Sequence, residues 1–529
     1  MKTLPLVAAL ALSILPFGAE AARIDISAGR QLFVDDYLVE TTDGIVRHWN
    51  RPVKMDDPVV WPGGGAAVKV TDGTASKTEP VNLTCATDGG LWWDPTRRKF
   101  RLWYQCDWLG DACYAESSDG LTWEYPDLGI VPGTNRIFEH DVIDSWSVTP
   151  NYAAENPYAD WKLHISYPYV PPAWPPATDD RLWESTDGIH FRQIGLAGRS
   201  GDRSTSYYDP FRGVWVFSLR AASMPRTRWY FASREFGGDA CHWSVVGDKA
   251  GPESLRKFAP TEPWLGAVNK GNRQLYSFNA VAYESLMLGV MEILYNTPGD
   301  NGDCMKRGLP KQTGLHFAFS RDGKAFSHRE EADIAPSGWG SGKWDTGYLS
   351  PIGGICVIKD ERLWFYYSAL RGDRTRSGGK KWWRNGMYSN GAIGVATLRR
   401  DGFAGMVADG KGEILTKPVS FTGRRLFVNA ECRFGSVGAE IVGEDGKAIP
   451  GFTRDDCAAF SHGDSTKTEL QFKGGGLSAL AGKFVRIRFL VRCGTLYSFW
   501  VSPSERGESR GYVAGGGPAY PGLRDIGSS

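Results

Sequence analysis

Six carboxylates stand where paired acids could work on one substrate: Asp35, Asp36, Glu79, Asp202, Glu284 and Asp345. Asp35 and Asp36 interrupt the apolar run Phe33-Val34-Asp35-Asp36-Tyr37-Leu38, and the others precede or accompany the turn signals of a repeating unit. His140, Asp141 and Asp144 hold a comparable place before the second unit. Two carboxyl groups with opposed proton affinities are what glycoside hydrolysis needs, one protonated to donate to the leaving oxygen and one ionised to activate water or attack the anomeric carbon. Asp141, Tyr276 and Tyr348 are the residues expected to bind the substrate. Any single acid has an ordinary alternative as a salt bridge or a solvated strand end, so the set carries the expectation. Other templates fail: there is no Gly-x-Ser-x-Gly elbow, no phosphate-binding loop and no His-Glu-x-x-His. Gly63-Gly64-Gly65 and Gly474-Gly475-Gly476 open no βαβ unit. No cofactor is expected and no metal is required.

The elements that must position these acids are announced by a recurring phrase. Ser117-Ser118-Asp119-Gly120-Leu121-Thr122-Trp123 returns as Ser185-Thr186-Asp187-Gly188-Ile189-His190-Phe191 and as Ser320-Arg321-Asp322-Gly323-Lys324-Ala325-Phe326. A looser copy is Arg399-Arg400-Asp401-Gly402-Phe403. The gap between the second and third copies is about twice that between the first two, so one unit has lost its phrase, near Arg234-Glu235-Phe236-Gly237-Gly238-Asp239. Trp92-Trp93-Asp94-Pro95 and Tyr207-Tyr208-Asp209-Pro210 mark a second recurring turn. Asp-Pro suits a type I turn and Asp-Gly a tight hairpin, so these acids have a structural explanation. The units lie near 80–125, 140–192, 200–245, 270–328 and 345–405, and they predict an all-β chain: a five-bladed β-propeller whose funnel collects the unrepeated acids. The strand around Gln31 to Val39 is expected to complete a blade or supply an inner strand.

After Leu415 the alternation continues without the phrase, which predicts a β-sandwich over 416–502 and a flexible tail over 503–529, with the propeller spanning 22–415. Residues 1–21 combine Lys2, an apolar run from Leu4 to Phe17, and Ala19-Glu20-Ala21, the pattern of a secretory signal peptide. A secreted or periplasmic protein without a membrane span follows. The 61 basic and 60 acidic residues leave a net charge of +1, which offers no field for nucleic acid. A carbohydrate partner suits the 21 Trp, although Trp also fills gaps between sheets. Composition does not fix the oligomeric state. Nine cysteines without a Cys-x-x-Cys pair argue against structural zinc; Cys106 and Cys113 are the favoured disulfide, and one bridge could form among Cys432, Cys457 and Cys493.

Gln31-Leu32-Phe33-Val34-Asp35-Asp36-Tyr37-Leu38, the Ser-x-Asp-Gly phrases, Trp344-Asp345-Thr346-Gly347, and the stretch from Asp401-Gly402-Phe403 to Leu496-Tyr497-Ser498-Phe499 resemble a set of secreted bacterial proteins. That set is related to the five-bladed propeller glycoside hydrolases of families 32 and 43, the invertase, levanase and arabinanase superfamily. The resemblance implies a hydrolase with three funnel acids, serving as base or nucleophile, transition-state stabiliser and proton donor. The chain lacks the Trp-x-Asn-Asp-Pro-Asn, Arg-Asp-Pro and Glu-Cys motifs of family 32, since Glu431-Cys432 falls in the expected sandwich. Individual roles therefore do not carry over. Two alternatives stand beside the glycosidase: a carbohydrate-binding propeller without catalysis, and a sialidase-like hydrolase, whose Asp-box the Ser-x-Asp-Gly phrase approaches.

Overall fold

The structure, a computed structural model, describes residues 23–61, 84–106, 111–139, 143–166, 179–220, 226–238, 241–243, 262–265, 273–295, 304, 306–375 and 386–527. The expected leader, Glu79 and Asp141 lie outside them. The chain is all-β, with helical geometry confined to short turns such as Pro157–Ala159 and Leu477–Leu480. Among the described residues no helix is long and apolar enough to cross a membrane.

Five groups of antiparallel strands, called sheets here, follow one another in chain order, the first two joined by a parallel pairing of Asp88 and Gly89 with Trp146 and Ser147. The first holds Thr84–Asp94, Lys99–Cys106 and Asp111–Ser117; the second Ser145–Pro150, Trp161–Ser166, Arg181–Ser185 and Arg192–Leu196. The third runs from Thr205–Asp209 through Val214–Arg220 and Arg228–Ser233 to Glu262–Pro263, and the fourth from Gln274–Glu284 through Leu286–Leu294 and Thr313–Ser320 to Ser327–His328. The fifth comprises Gly347–Pro351, Val357–Lys359, Arg362–Leu370 and Gly391–Arg399, and its outer edge is Val53–Lys54, from the other end of the chain. The first strands are neighbours in a circle. Thr84–Asp94 touches Ser145–Pro150, which touches Thr205–Asp209, which touches Gln274–Glu284; the fourth sheet touches Gly347–Pro351, which returns to Thr84–Asp94.

The Asp-Gly phrases explain how the sheets interlock. In the first copy Asp119 Oδ1 accepts the backbone N–H groups of Leu121 (2.8 Å) and Thr122 (2.7 Å), and Ser117 Oγ accepts that of Gly120 (2.8 Å). The copies at Asp187 and Asp322 repeat the pattern. Each loop then receives donors from a neighbouring sheet. Tyr366 of the fifth donates to Gly120 O (2.7 Å), Trp103 Nε1 of the first to Gly188 O (2.7 Å), and Arg212 of the third to Gly323 O (2.9 Å). Trp103, Trp146, Trp161, Trp215 and Trp243 are fully buried between strands, so much of the aromatic excess is packing. Cys106 and Cys113 form a disulfide across their hairpin, whereas Cys432, Cys457 and Cys493 are free thiols.

A sixth sheet is built on Ala404–Thr416, Arg425–Val442, Phe460–Phe472 and Arg486–Ser502. Register shifts at Asn429/Ala430 and Glu431/Ser436 bend its longest strand around a core that includes Val437, Ile487 and Phe489. Gln31–Leu32 pairs with Arg486–Ser502, and Val39–Asp43 and Val46–Trp49 pair with Ala404–Thr416. The N-terminal segment expected to complete a blade thus joins the C-terminal sheet, and the residues after it reach the fifth sheet through Val53–Lys54, Met55, Val59 and Val60.

Residues 503–527 depart from the expected flexible tail. Tyr512–Val513 pairs with the end of Gln274–Glu284. Ala514 N–H donates to Ala282 O (3.1 Å), Trp93 N–H to Gly515 O (2.8 Å) and Ile358 N–H to Gly516 O (2.8 Å). The tail therefore ties the fourth, first and fifth sheets together, at the C-terminal ends of the first strands in the fourth and first and at Val357–Lys359 in the fifth. Its glycines serve close approach, because a Cβ on Gly517 would stand 1.9 Å from Ile358 O. Gly517→Ala should cost about 1–3 kcal/mol of stability, as overpacking does. Chemical denaturation checks this, and an unchanged midpoint would show that the tail is not docked.

Candidate active site at the centre of the sheet ring

At the opposite ends of the first strands, side chains from all five sheets converge on Arg203. Arg203 Nη2 contacts Glu292 Oε2 of the fourth sheet, lies 3.8 Å from Asp88 Oδ2 of the first, and donates to Ser350 Oγ of the fifth at 3.0 Å. Its backbone N–H donates to Ser145 Oγ of the second sheet (2.7 Å), and its carbonyl accepts from Arg228 Nη1 of the third (2.7 Å). Ser277 Oγ donates to Asp88 Oδ2 (3.1 Å), and Ser350 Oγ to Glu292 Oε2 (3.2 Å). All these side chains are buried.

Local backbone geometry aims the acids. Asp88 has φ +80° in a strand whose pairing shifts register between Cys85 and Gly90, and the following Gly89 (φ +41°) would carry a Cβ 2.3 Å from Trp103 O. The kink turns the Asp88 carboxylate inward. Arg203 (φ +64°) and Tyr348 (φ +52°) also have left-handed backbones, a conformation that costs energy and concentrates at functional sites.

The electrostatics follow from burial. Burial pushes the Asp88 carboxyl up to about 6, against the opposing pull of Arg203. Asp144, immediately before Ser145–Pro150, and Glu292 are raised for the same first reason, with Arg203 opposing in both cases. Asp88 Oδ1, Glu292 Oε1, and Arg203 Nε and Nη1 are buried with no hydrogen-bond partner. Unsatisfied polar atoms from three elements at one point mark a place for water or a ligand.

Beside the acids lies a cationic and aromatic layer. Lys311 Nζ donates to Tyr276 Oη (2.7 Å), which is 3.4 Å from Tyr348 Oη. The Arg226 guanidinium sits 5.1 Å from the Tyr276 ring centre, and Arg228 donates to Tyr276 O. Burial raises the Tyr276 phenol, but Lys311 and Arg226 outweigh it and bring the group below its ordinary value. Tyr348, raised by burial and by Tyr276, stays neutral.

The structure brings Tyr276 and Tyr348 together at this centre and places the described predicted acids elsewhere. Asp35 pairs with Arg321 (3.0 Å) and Asp36 with Arg47 near the C-terminal sheet. Asp202, directly before Arg203, is bound to Arg220. Asp345 is enclosed by Lys54 (2.6 Å), Ser337 (2.5 Å) and Tyr367 (3.1 Å). Glu284 shares a strand with Ser277 but lies roughly 20 Å further along it, where it accepts from Arg30 N (3.0 Å), Arg400 Nη2 (2.8 Å) and Ser509 Oγ (2.7 Å). These positions meet ordinary structural partners. The acids missed as candidates carried signals: Asp88 precedes Gly89-Gly90 just upstream of the Asp-Pro turn, and Glu292 is the lone charge in an apolar strand. Among the described residues no cluster of His, Cys, Asp and Glu could hold a metal ion.

No family model matches the sequence, and no curated protein matches it. Among solved structures the chain is similar to one described with the GH130 mannoside phosphorylases and the glycoside hydrolases acting on β-1,2-mannosidic linkages in Candida mannan. The identity is 11% over 69% of this chain and 96% of that one, with a TM-score of 0.41. It is also similar to a glycosyl hydrolase of Bacteroides ovatus (10% identity, 66% and 94% covered, TM-score 0.40) and to the Bombyx mori GH32 β-fructofuranosidase (12%, 84% and 94%, TM-score 0.35). GH130 and GH32 are five-bladed β-propeller families. No residue role passes from them to this chain.

Because the folded-state carboxyl of Asp88 is raised, its ionisation opposes folding: stability is highest below pH 4 on this account and falls as pH rises through about 6. Asp88→Asn, which cannot ionise, should stabilise the protein by up to about 3 kcal/mol at pH 8 and leave it nearly unchanged at pH 4. Thermal unfolding at the two pH values reads this directly, and equal shifts at both would contradict it.

Proposed function

We propose that the five chain-ordered sheets are the blades of a β-propeller, that the bent C-terminal sheet serves as its β-sandwich module, and that the centre is the active site of a glycoside hydrolase. The observation that carries this reading is the Asp88 and Glu292 pair. Both contact Arg203 Nη2, and each has one buried oxygen without a partner. A shared nitrogen keeps two carboxylates close together, and paired carboxylates are what glycoside hydrolysis needs. Asp88, protonated up to about pH 6, is suited to donate to the leaving oxygen. Glu292, in direct contact with the guanidinium, is suited to act ionised, on water or on the anomeric carbon. Asp144 is the third acid, positioned to stabilise charge developing on the sugar. Export, as the leader pattern predicts, would bring the enzyme to a polysaccharide outside the cell.

Asp88→Asn and Glu292→Gln should each lower kcat/KM by about 100-fold or more on whichever glycan a hydrolysis panel shows to be cleaved. Asp36→Asn, at a surface ion pair, should leave it within about twofold. The wild-type rate should fall as pH rises above about 6. Full activity in both site variants would remove the mechanism, and sugar binding without turnover in the wild type would make the chain a binding propeller.

A further inference from the structure

Three residues of the central shell sit where strand pairing is broken. The register slips across Asp88, between Cys85 and Gly90, and again between Leu275 and Ser277 and between Gly347 and Ser350. Such irregularities re-aim side chains, and here they turn one acid and two serines toward Arg203. Ser277 is the direct cross-strand partner of Glu292, yet its hydroxyl donates to Asp88 Oδ2 on another sheet (3.1 Å). Ser350 accepts from Arg203 Nη2 (3.0 Å) and donates to Glu292 Oε2 (3.2 Å). Both serines are fully buried.

Valence fixes the direction of the Ser350 bonds. A guanidinium has no acceptor, so Ser350 must accept from Arg203, and its one proton is left for Glu292 Oε2. That oxygen therefore receives two donors, Ser350 Oγ and Arg203 Nη2. Asp88 Oδ2 receives one, Ser277 Oγ, and lies 3.8 Å from Arg203 Nη2, beyond hydrogen-bond range. Donors to a carboxyl group favour its ionised form, so the shell favours ionisation of Glu292 over that of Asp88. A proton on Asp88 is also kept from Oδ2, where a hydroxyl proton and a cation already face. It falls to Oδ1, which has no partner among the described residues.

We propose that Ser350 and Ser277 are positioning residues that divide the two roles: Ser350 holds Glu292 ionised with Oε1 free, and Ser277 holds Asp88 Oδ2 so that the transferable proton sits on Oδ1. The proposal rests on the hydrolase reading of this centre and adds to it what tells the two acids apart. Arg203 and Arg228 also act on Asp88, Arg203 and Lys311 on Glu292, and Asp144, Tyr276 and Tyr348 lie beside them. These groups are common to every serine variant, so a difference between variants reports the serines.

The test is an infrared titration of the substrate-free, full-length protein, in which a protonated carboxylic acid has its own carbonyl band. Loss of a band in Asp88→Asn or Glu292→Gln assigns it. The Asp88 band should titrate with a midpoint of about 6 in the wild type. Ser277→Ala removes a donor to the ionised form and should raise that midpoint by about 0.5 to 1 pH unit. Ser350→Ala should raise the Glu292 midpoint by a similar amount and leave that of Asp88 unchanged or lower. Ser277→Cys and Ser350→Cys, close to serine in shape with a weaker donor, should move the same midpoints the same way by less. Thermal unfolding shows that each variant is folded. On a cleaved glycan, the high-pH limb of kcat/KM should move up in Ser277→Ala and the low-pH limb in Ser350→Ala.

Unmoved midpoints in the folded variants, or both variants raising the midpoint of the same acid, would overturn the proposal, because a packing role leaves titration untouched. Midpoints that move as stated in a protein that cleaves no glycan would sustain the serine assignment and sink the hydrolase reading. Cleavage with unmoved midpoints would do the reverse.

Discussion

A buried guanidinium must be neutralised and hydrogen-bonded or it destabilises the fold by several kcal/mol, and Arg203 meets that demand only if five sheets arrive together. Its side chain is engaged by Glu292 and Ser350, with Asp88 3.8 Å away, and its backbone by Ser145 and Arg228. No sheet alone supplies more than part of this shell. The hub therefore couples ring formation to site formation, and the left-handed backbones at Asp88, Arg203 and Tyr348 are held by partners on other sheets.

The ring is fastened differently at its two ends. At one end the tail crosses the strand ends and donates or accepts with Ala282, Trp93 and Ile358. Around the rim the Asp-Gly loops accept Tyr366, Trp103 and Arg212 from neighbouring sheets. Both devices use backbone carbonyls, which are present at every residue, so side chains at the remaining end are free to differ from sheet to sheet. A site assembled there can be asymmetric although its scaffold repeats.

This division explains what was legible in the sequence. Asp119, Asp187 and Asp322 are legible as turn acids because Asp-Gly pairing is local and the phrase recurs in three copies. The centre was half legible: Tyr276 and Tyr348 stood at positions that the unit spacing points inward, but Asp35, Asp36, Asp202, Glu284 and Asp345 were chosen by the same logic and meet Arg or Lys partners elsewhere. Strand position says which end a residue nears, not which cation claims it. The order of the tail is not legible because Gly515-Gly516-Gly517 has the composition of a flexible segment, and the physical role of glycine here, contact closer than a Cβ allows, depends on Ile358, far away in sequence.

Among the described residues, two of the clusters that bury acids completely are separated by hydrogen bonding where burial does not separate them. At the junction of the fourth sheet with the C-terminal sheet, Glu284 Oε1 and Oε2 accept from Arg400, Arg30 and Ser509, and Asp401 accepts from Arg30 (3.0 Å), Ser498 (2.6 Å) and Tyr283 (2.5 Å). Every acid oxygen there has a donor, and the network joins the N-terminal segment, two sheets and the tail. At the centre, Asp88 Oδ1 and Glu292 Oε1 have none. A clasp gains stability by satisfying its acids, whereas an acid that must exchange a proton with a substrate needs an open lone pair facing it. The same fold thus closes itself with saturated carboxylates and leaves one oxygen each of Asp88 and Glu292 unsaturated at its centre.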